Sequence, residues 1–106
     1  MISQISEPLQ ILDSLYRQGY RSSLIDLALN KIIELERVNT LKQASELQAK
    51  LQVYEQQYQM SSDIFYQRFA EGSLGDEIDF FDWSVFYDLS QSLRERLQVL
   101  QATNQK

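Results

Sequence analysis

At 106 residues the chain has room for one domain and one modest core. With no cysteine and no histidine, it lacks a thiolate nucleophile, an imidazole base and the usual zinc and haem ligands. The net charge is -5, unevenly spread: residues 1–58 carry six basic and seven acidic side chains, residues 59–106 four and eight. That is a poor basis for gripping nucleic-acid phosphates, and a better one for meeting a basic partner protein. Three glycines and one proline leave few turns, so long helices are expected rather than a sandwich or barrel. The opening MISQISEPLQ has no basic stretch and no long apolar run. No signal peptide or membrane span is expected, and the cytoplasm is the default compartment.

A short first helix is expected over 8–18. Pro8 suits a first helical position, Leu9, Ile11, Leu12 and Leu15 give an apolar face, and Gly19 suits the left-handed residue after the helix end. A long second helix is expected over 23–58, with Ser23 as N-cap and Asp26 three residues on. Its apolar stripe changes direction. Leu24, Ala28, Ile32 and Leu35 share one face; Leu47, Leu51, Tyr54 and Tyr58 share another, at coiled-coil spacing. The changeover lies at NTLKQAS, residues 39–45, and a continuous helix with two packing roles is the preferred reading.

A third, short helix over 62–71 carries marks at both ends. Ser61 is the N-cap, Asp63 sits in the first turn, Met60 and Phe65 take the staple positions, and Gly72 closes it. Ile64, Phe65 and Phe69 are expected to face inward. The turn SLG leads to a final helix over 76–100, where Phe86, Leu89, Leu93, Leu97 and Leu100 form a seam. The polar tail 101–106 is expected to fray. Together these make a single all-α domain over 1–106. A long helix pairs antiparallel with the C-terminal helix through a short bridging helix, and a short N-terminal helix precedes them. The N-terminal helices either fold back or build a homodimer interface.

The stretch GSLGDEIDFFDWSVFYD, residues 72–88, gathers acids and aromatics with no basic residue. Asp76, Asp79 and Asp82 recur every three residues, but the alternate-position ligands and central glycine of a calcium loop are missing. Capping and first-turn roles for Asp76 and Asp79 are the preferred reading, with no metal and no cofactor. Asp79 and Asp82 could pair for acid–base work, yet no nucleophile motif, phosphate loop or metal signature accompanies them. The chain is read as a non-enzyme. Arg17, Arg21 and Lys31, with Tyr16 and Tyr20 between them, form a small basic patch, and a solvated helix face is preferred over a nucleic-acid contact. Phe80, Phe81, Trp83, Phe86 and Tyr87 point around nearly the whole helix, so some are core, and the rest either hold a partner or are covered by the N-terminal helices within the chain or a homodimer.

The segment YEQQYQMSSDIFYQRFAEGSLGDEIDFFDWSVFYDL resembles a small prokaryotic family of candidate antitoxin components of toxin–antitoxin systems. The matching positions are Tyr58, Met60, Ser61, Ser62, Phe65, Tyr66, Phe69, Gly72, Leu74, Gly75, Asp76, Asp79, Phe80 and Trp83. The likeness extends from Gly19 to Leu97. The chain departs at Ile64, where the pattern often has an acid, and at Gln59, where it has Gly or Asn. The resemblance implies a basic, toxin-like partner, suspected to be a ribonuclease. Combined with the charge pattern it gives a docking surface of Asp76, Glu77, Asp79, Phe80, Asp82, Trp83 and Tyr87, the acids standing in for phosphate and Trp83 and Phe80 anchoring by burial. The alternatives are a self-associating structural protein and a small DNA-binding regulator using the N-terminal helices.

Overall fold

The computed structural model describes residues 6–102. Among these there are four helices and no strand: α1 (Glu7–Arg17), α2 (Ser23–Tyr58), α3 (Ser62–Ala70) and α4 (Ile78–Ala102). The all-α expectation holds. Helix α2 is unbroken through residues 39–45. The chain divides into two compact units, one up to Ile33 and one from Glu34.

In the first unit, Ser6 caps α1 by accepting from the Leu9 N–H at 3.5 Å, which places Pro8 one residue inside the helix start. Gly19, at φ +94, closes α1, with the Tyr20 N–H reaching the Leu15 carbonyl and the Gly19 N–H the Tyr16 carbonyl. The cap of α2 is Ser22, not Ser23: its hydroxyl accepts from the Ile25 N–H at 3.2 Å. Asp26 therefore lies one position too far along to close a capping box. It accepts the Tyr16 hydroxyl instead, at 2.6 Å. The face carrying Leu24, Ala28 and Ile32 is open, with Leu24 76% exposed. Ile25, Leu29 and Ile33 are the half-buried positions of α2 in this unit, and Leu29 lines a small cavity with Leu9, Leu12 and Tyr16.

In the second unit, α2 and α4 run antiparallel. Tyr58 meets Phe80 near one end, Tyr54 meets Trp83 and Phe86, Gln43 meets Arg96, and Arg37 reaches Leu100 at the other end. The Arg37 guanidinium donates to the Leu100 carbonyl at 2.8 Å, a cation on the last carbonyls of a helix. The seam expected on α4 buries Leu93, half-buries Phe86, Leu97 and Leu100, and leaves Leu89 exposed. Helix α4 starts at Ile78, so Asp76 and Glu77 lie in the preceding loop. It extends through Ala102, past the expected end at 100; residues 103–106 of the tail lie outside the described residues.

Helix α3 bridges the pair. Ser61 caps it, accepting from the Ile64 N–H at 3.2 Å, and the Glu55 carboxylate accepts from the Ser62 N–H at 3.0 Å. Phe65 is fully buried and Phe69 half-buried, but Ile64 faces outward, contrary to expectation. With Ser61 as cap, Ile64 is the third helical residue, turned away from the Phe65 side. Gly72, at φ +76, ends α3.

Between α2 and α3 the chain turns at Gln59, whose φ of +53 makes it the only non-glycine described residue in the left-handed region. The Met60 N–H reaches back to the Glu55 carbonyl at 3.2 Å, as it does when glycine fills such a position. A side chain there costs about 1 kcal/mol or more, partly offset by the entropy glycine loses on folding. Gln59→Gly should therefore raise stability by up to about 1 kcal/mol, read as a higher midpoint in urea unfolding; a lower midpoint would show that the turn is not strained.

Candidate partner-binding surface

The aromatic residues of α4 sort by helical phase. Trp83 is fully buried, its ring parallel to that of Phe65 with centroids 3.8 Å apart. Tyr54 and Tyr58 stack on it from α2, at 5.6 and 5.7 Å. Its indole N–H donates to the buried Ser62 hydroxyl at 2.8 Å. Trp83 is thus the centre of the core and is not available as an anchor for a partner. Phe80 is half-buried, against Tyr58 at 5.2 Å and Phe65 at 5.6 Å. Tyr87 is half-buried too, stacked on Tyr66 at 4.5 Å.

The acids sort in the same way. Asp79 is half-buried and accepts the Tyr58 hydroxyl at 2.7 Å. Tyr87 donates to Asp63 at 2.7 Å, and Tyr66 donates to Asp88 at 2.6 Å. These three bonds tie α3 and α4, and α4 and α2, across their edges. The hydrogen bond to Asp79, then burial, then the charges of Asp79 and Glu77 push the Tyr58 phenol up to about 12. Tyr66 and Tyr87 are raised as well, first by their bonds to Asp88 and Asp63.

What stays open is a smaller set. Asp76, Glu77 and Asp82 are exposed, and the ion pairs among the described residues, Asp13–Arg17 and Glu34–Arg37, take none of them. Beside them stand Ile78, 77% exposed, and Phe81, 52% exposed. Val85, one turn further along the same face, is also open. The spacing of three and four that joins 78, 81 and 85 was present in the sequence, but it continues to Leu89, a position that the spacing also assigns to the seam.

The basic patch is locally engaged. Arg17 pairs with Asp13 at 2.7 Å. The Arg21 guanidinium lies 4.8 Å from the centre of the Tyr16 ring and donates to the carbonyls of Tyr16 and Tyr20. Lys31 is exposed on α2. Among the described residues, no three acids come together as a metal would require, and no helix is long and apolar enough to cross a membrane.

No family model, curated protein or solved structure matches the chain. What the fold defines is a class: an all-α chain in which a helical hairpin is closed by a short third helix.

Ser62→Ala would leave the Trp83 indole N–H buried without a partner, and should cost about 1–3 kcal/mol in urea unfolding. An unchanged midpoint would mean that the bond contributes nothing net. Alkaline pH supplies a second check. An unfolded tyrosine ionises near pH 10, whereas Tyr58 in the native state holds its proton to about 12. The stabilisation is complete below pH 10 and is lost as pH rises toward 12, because the unfolded state sheds a proton that the native state keeps. Urea midpoints should fall over that range, and the fall should be shallower in Tyr58→Phe. Equal slopes would show that the Tyr58–Asp79 bond does not sense ionisation.

Proposed function

We propose that this chain is a non-catalytic protein-binding module that docks on a basic partner protein, in the manner of an antitoxin covering the RNA-binding groove of a toxin-like ribonuclease. The observation that carries the reading is the open edge at the start of α4. There Asp76, Glu77 and Asp82, without ion pairs among the described residues, flank the exposed Ile78 and Phe81. Exposed aromatic and aliphatic anchors ringed by charge of one sign suit a partner of opposite charge: the apolar side chains supply burial and the acids supply steering. The likeness of residues 58–83 to candidate antitoxins points the same way.

The exposures favour a different set of anchors from the one expected. Trp83 shapes the surface from beneath, while Phe81 and Ile78 take the anchoring role. Asp79 and Tyr87 hold the fold through their hydrogen bonds, so reversing Asp79 would disturb the core as well as the surface.

The test is capture from the native lysate with the chain as bait, read by mass spectrometry. One small basic protein should be retained. Its retention should fall with salt and weaken about tenfold or more when Asp76, Glu77 and Asp82 are all changed to Lys in a variant of unchanged helicity. Equal retention by that variant, or recovery of the bait alone, would overturn the reading.

A further inference from the structure

We infer that a second copy of this chain packs, across a two-fold axis, on the groove between α2 and α4 in the second unit. The groove has a volume of about 320 Å³ and is floored by Leu47 and Leu93. Apolar side chains extend it on both helices: Val53 is 61% exposed and Leu89 48% exposed. Helix α2 contributes Leu47, Lys50 and Val53 to this side, and α4 contributes Phe86, Leu89 and Leu93. At 3.6 residues per turn these positions form one stripe on each helix. Leu47, Phe86 and Leu93 belong to the seam that the hairpin uses internally, and Val53 and Leu89 carry that apolar surface outward beside the groove.

The charges on the rim identify the occupant. Glu46 and Lys50 lie one turn apart on α2, and Arg96 faces them from α4. Lys50 leans over the Phe86 ring, 5.5 Å from its centre, and Arg96 donates to the Gln43 side-chain oxygen at 3.3 Å. The Glu46 carboxylate takes no cation among the described residues. A rim bearing both signs is self-complementary under two-fold rotation, since the acid of each copy meets a cation of the other. A uniformly basic helix would meet two like charges, Lys50 and Arg96, for one opposite, and a uniformly acidic helix would set a like charge against Glu46. Two hairpins joined in this way form a four-helix bundle, in which the open apolar positions Val53 and Leu89 are covered.

This contact is independent of the acidic edge proposed above, which lies nearer the start of α4. Sedimentation equilibrium of the full chain should give twice the 12.5 kDa chain mass. A basic variant, Glu46→Lys, and an acidic variant, Lys50→Glu with Arg96→Glu, should each sediment as monomers. Mixed in equal amounts they should form a one-to-one heterodimer visible by native mass spectrometry. Leu89→Glu, an exposed position, should be monomeric with unchanged helicity. A monomeric native chain would overturn the proposal. So would variants that keep their homodimers, or helical variants whose mixture fails to associate.

Discussion

The flat stack of Phe65 on Trp83 is the contact on which the second unit depends. A nine-residue helix such as α3 does not persist in water unaided. It persists here because Phe65 lies parallel to an indole that Tyr54 and Tyr58 clasp from α2. The Trp83 N–H then selects the orientation, since only Ser62, the first residue of α3, offers it an acceptor. Rings in place of small side chains separate α2 from α4 and make room for α3 across their end. Glu55 and Ser61 satisfy amide groups at the start of α3 that would otherwise lack partners.

The same geometry divides the acidity into two kinds. Asp63, Asp79 and Asp88 each accept a tyrosine hydroxyl from another helix. They are edge fasteners, and their charge is spent on neutral donors inside the molecule. Asp76, Glu77 and Asp82 have no such role in the described residues, and they cluster where α4 begins. Of the four acids expected at the candidate surface, the tyrosine pairings remove one, Asp79.

Helix content, helix order and most ends were legible because capping chemistry is local. Ser61, Gly19, Gly72 and Met60 act within a few residues of where they stand. The backbone role of Gln59 was not legible: the structure makes it a left-handed residue, the kind of position Gly or Asn fills most readily. Rotational phase was not legible. Whether Trp83 or Phe81 is buried depends on where α3 lies, and that depends on contacts such as Ser62–Trp83 and Phe69–Phe81, between residues 21 and 12 positions apart. The same reason hid Asp79, since its tyrosine partner lies 21 residues away. Ser22 displaced Ser23 as cap because two adjacent serines offer the same chemistry, and only the backbone after Gly19 decides between them.

Charge placement links the two surfaces on α4. Its first turns carry uncompensated negative charge, whereas the middle, facing Lys50 and Glu46 and bearing Arg96, is mixed. Two copies carrying -5 each repel one another, and joining them at their acidic edges would concentrate that repulsion. Joining them at the mixed groove about a two-fold axis that runs across the helices keeps the like-charged edges apart, because it sends the two starts of α4 to opposite ends. The proposed self-association and the proposed docking on a basic partner are therefore compatible on one helix. The apolar stripe runs through both regions, and the sign of the charge beside it decides whether a second copy or a basic protein is favoured at each.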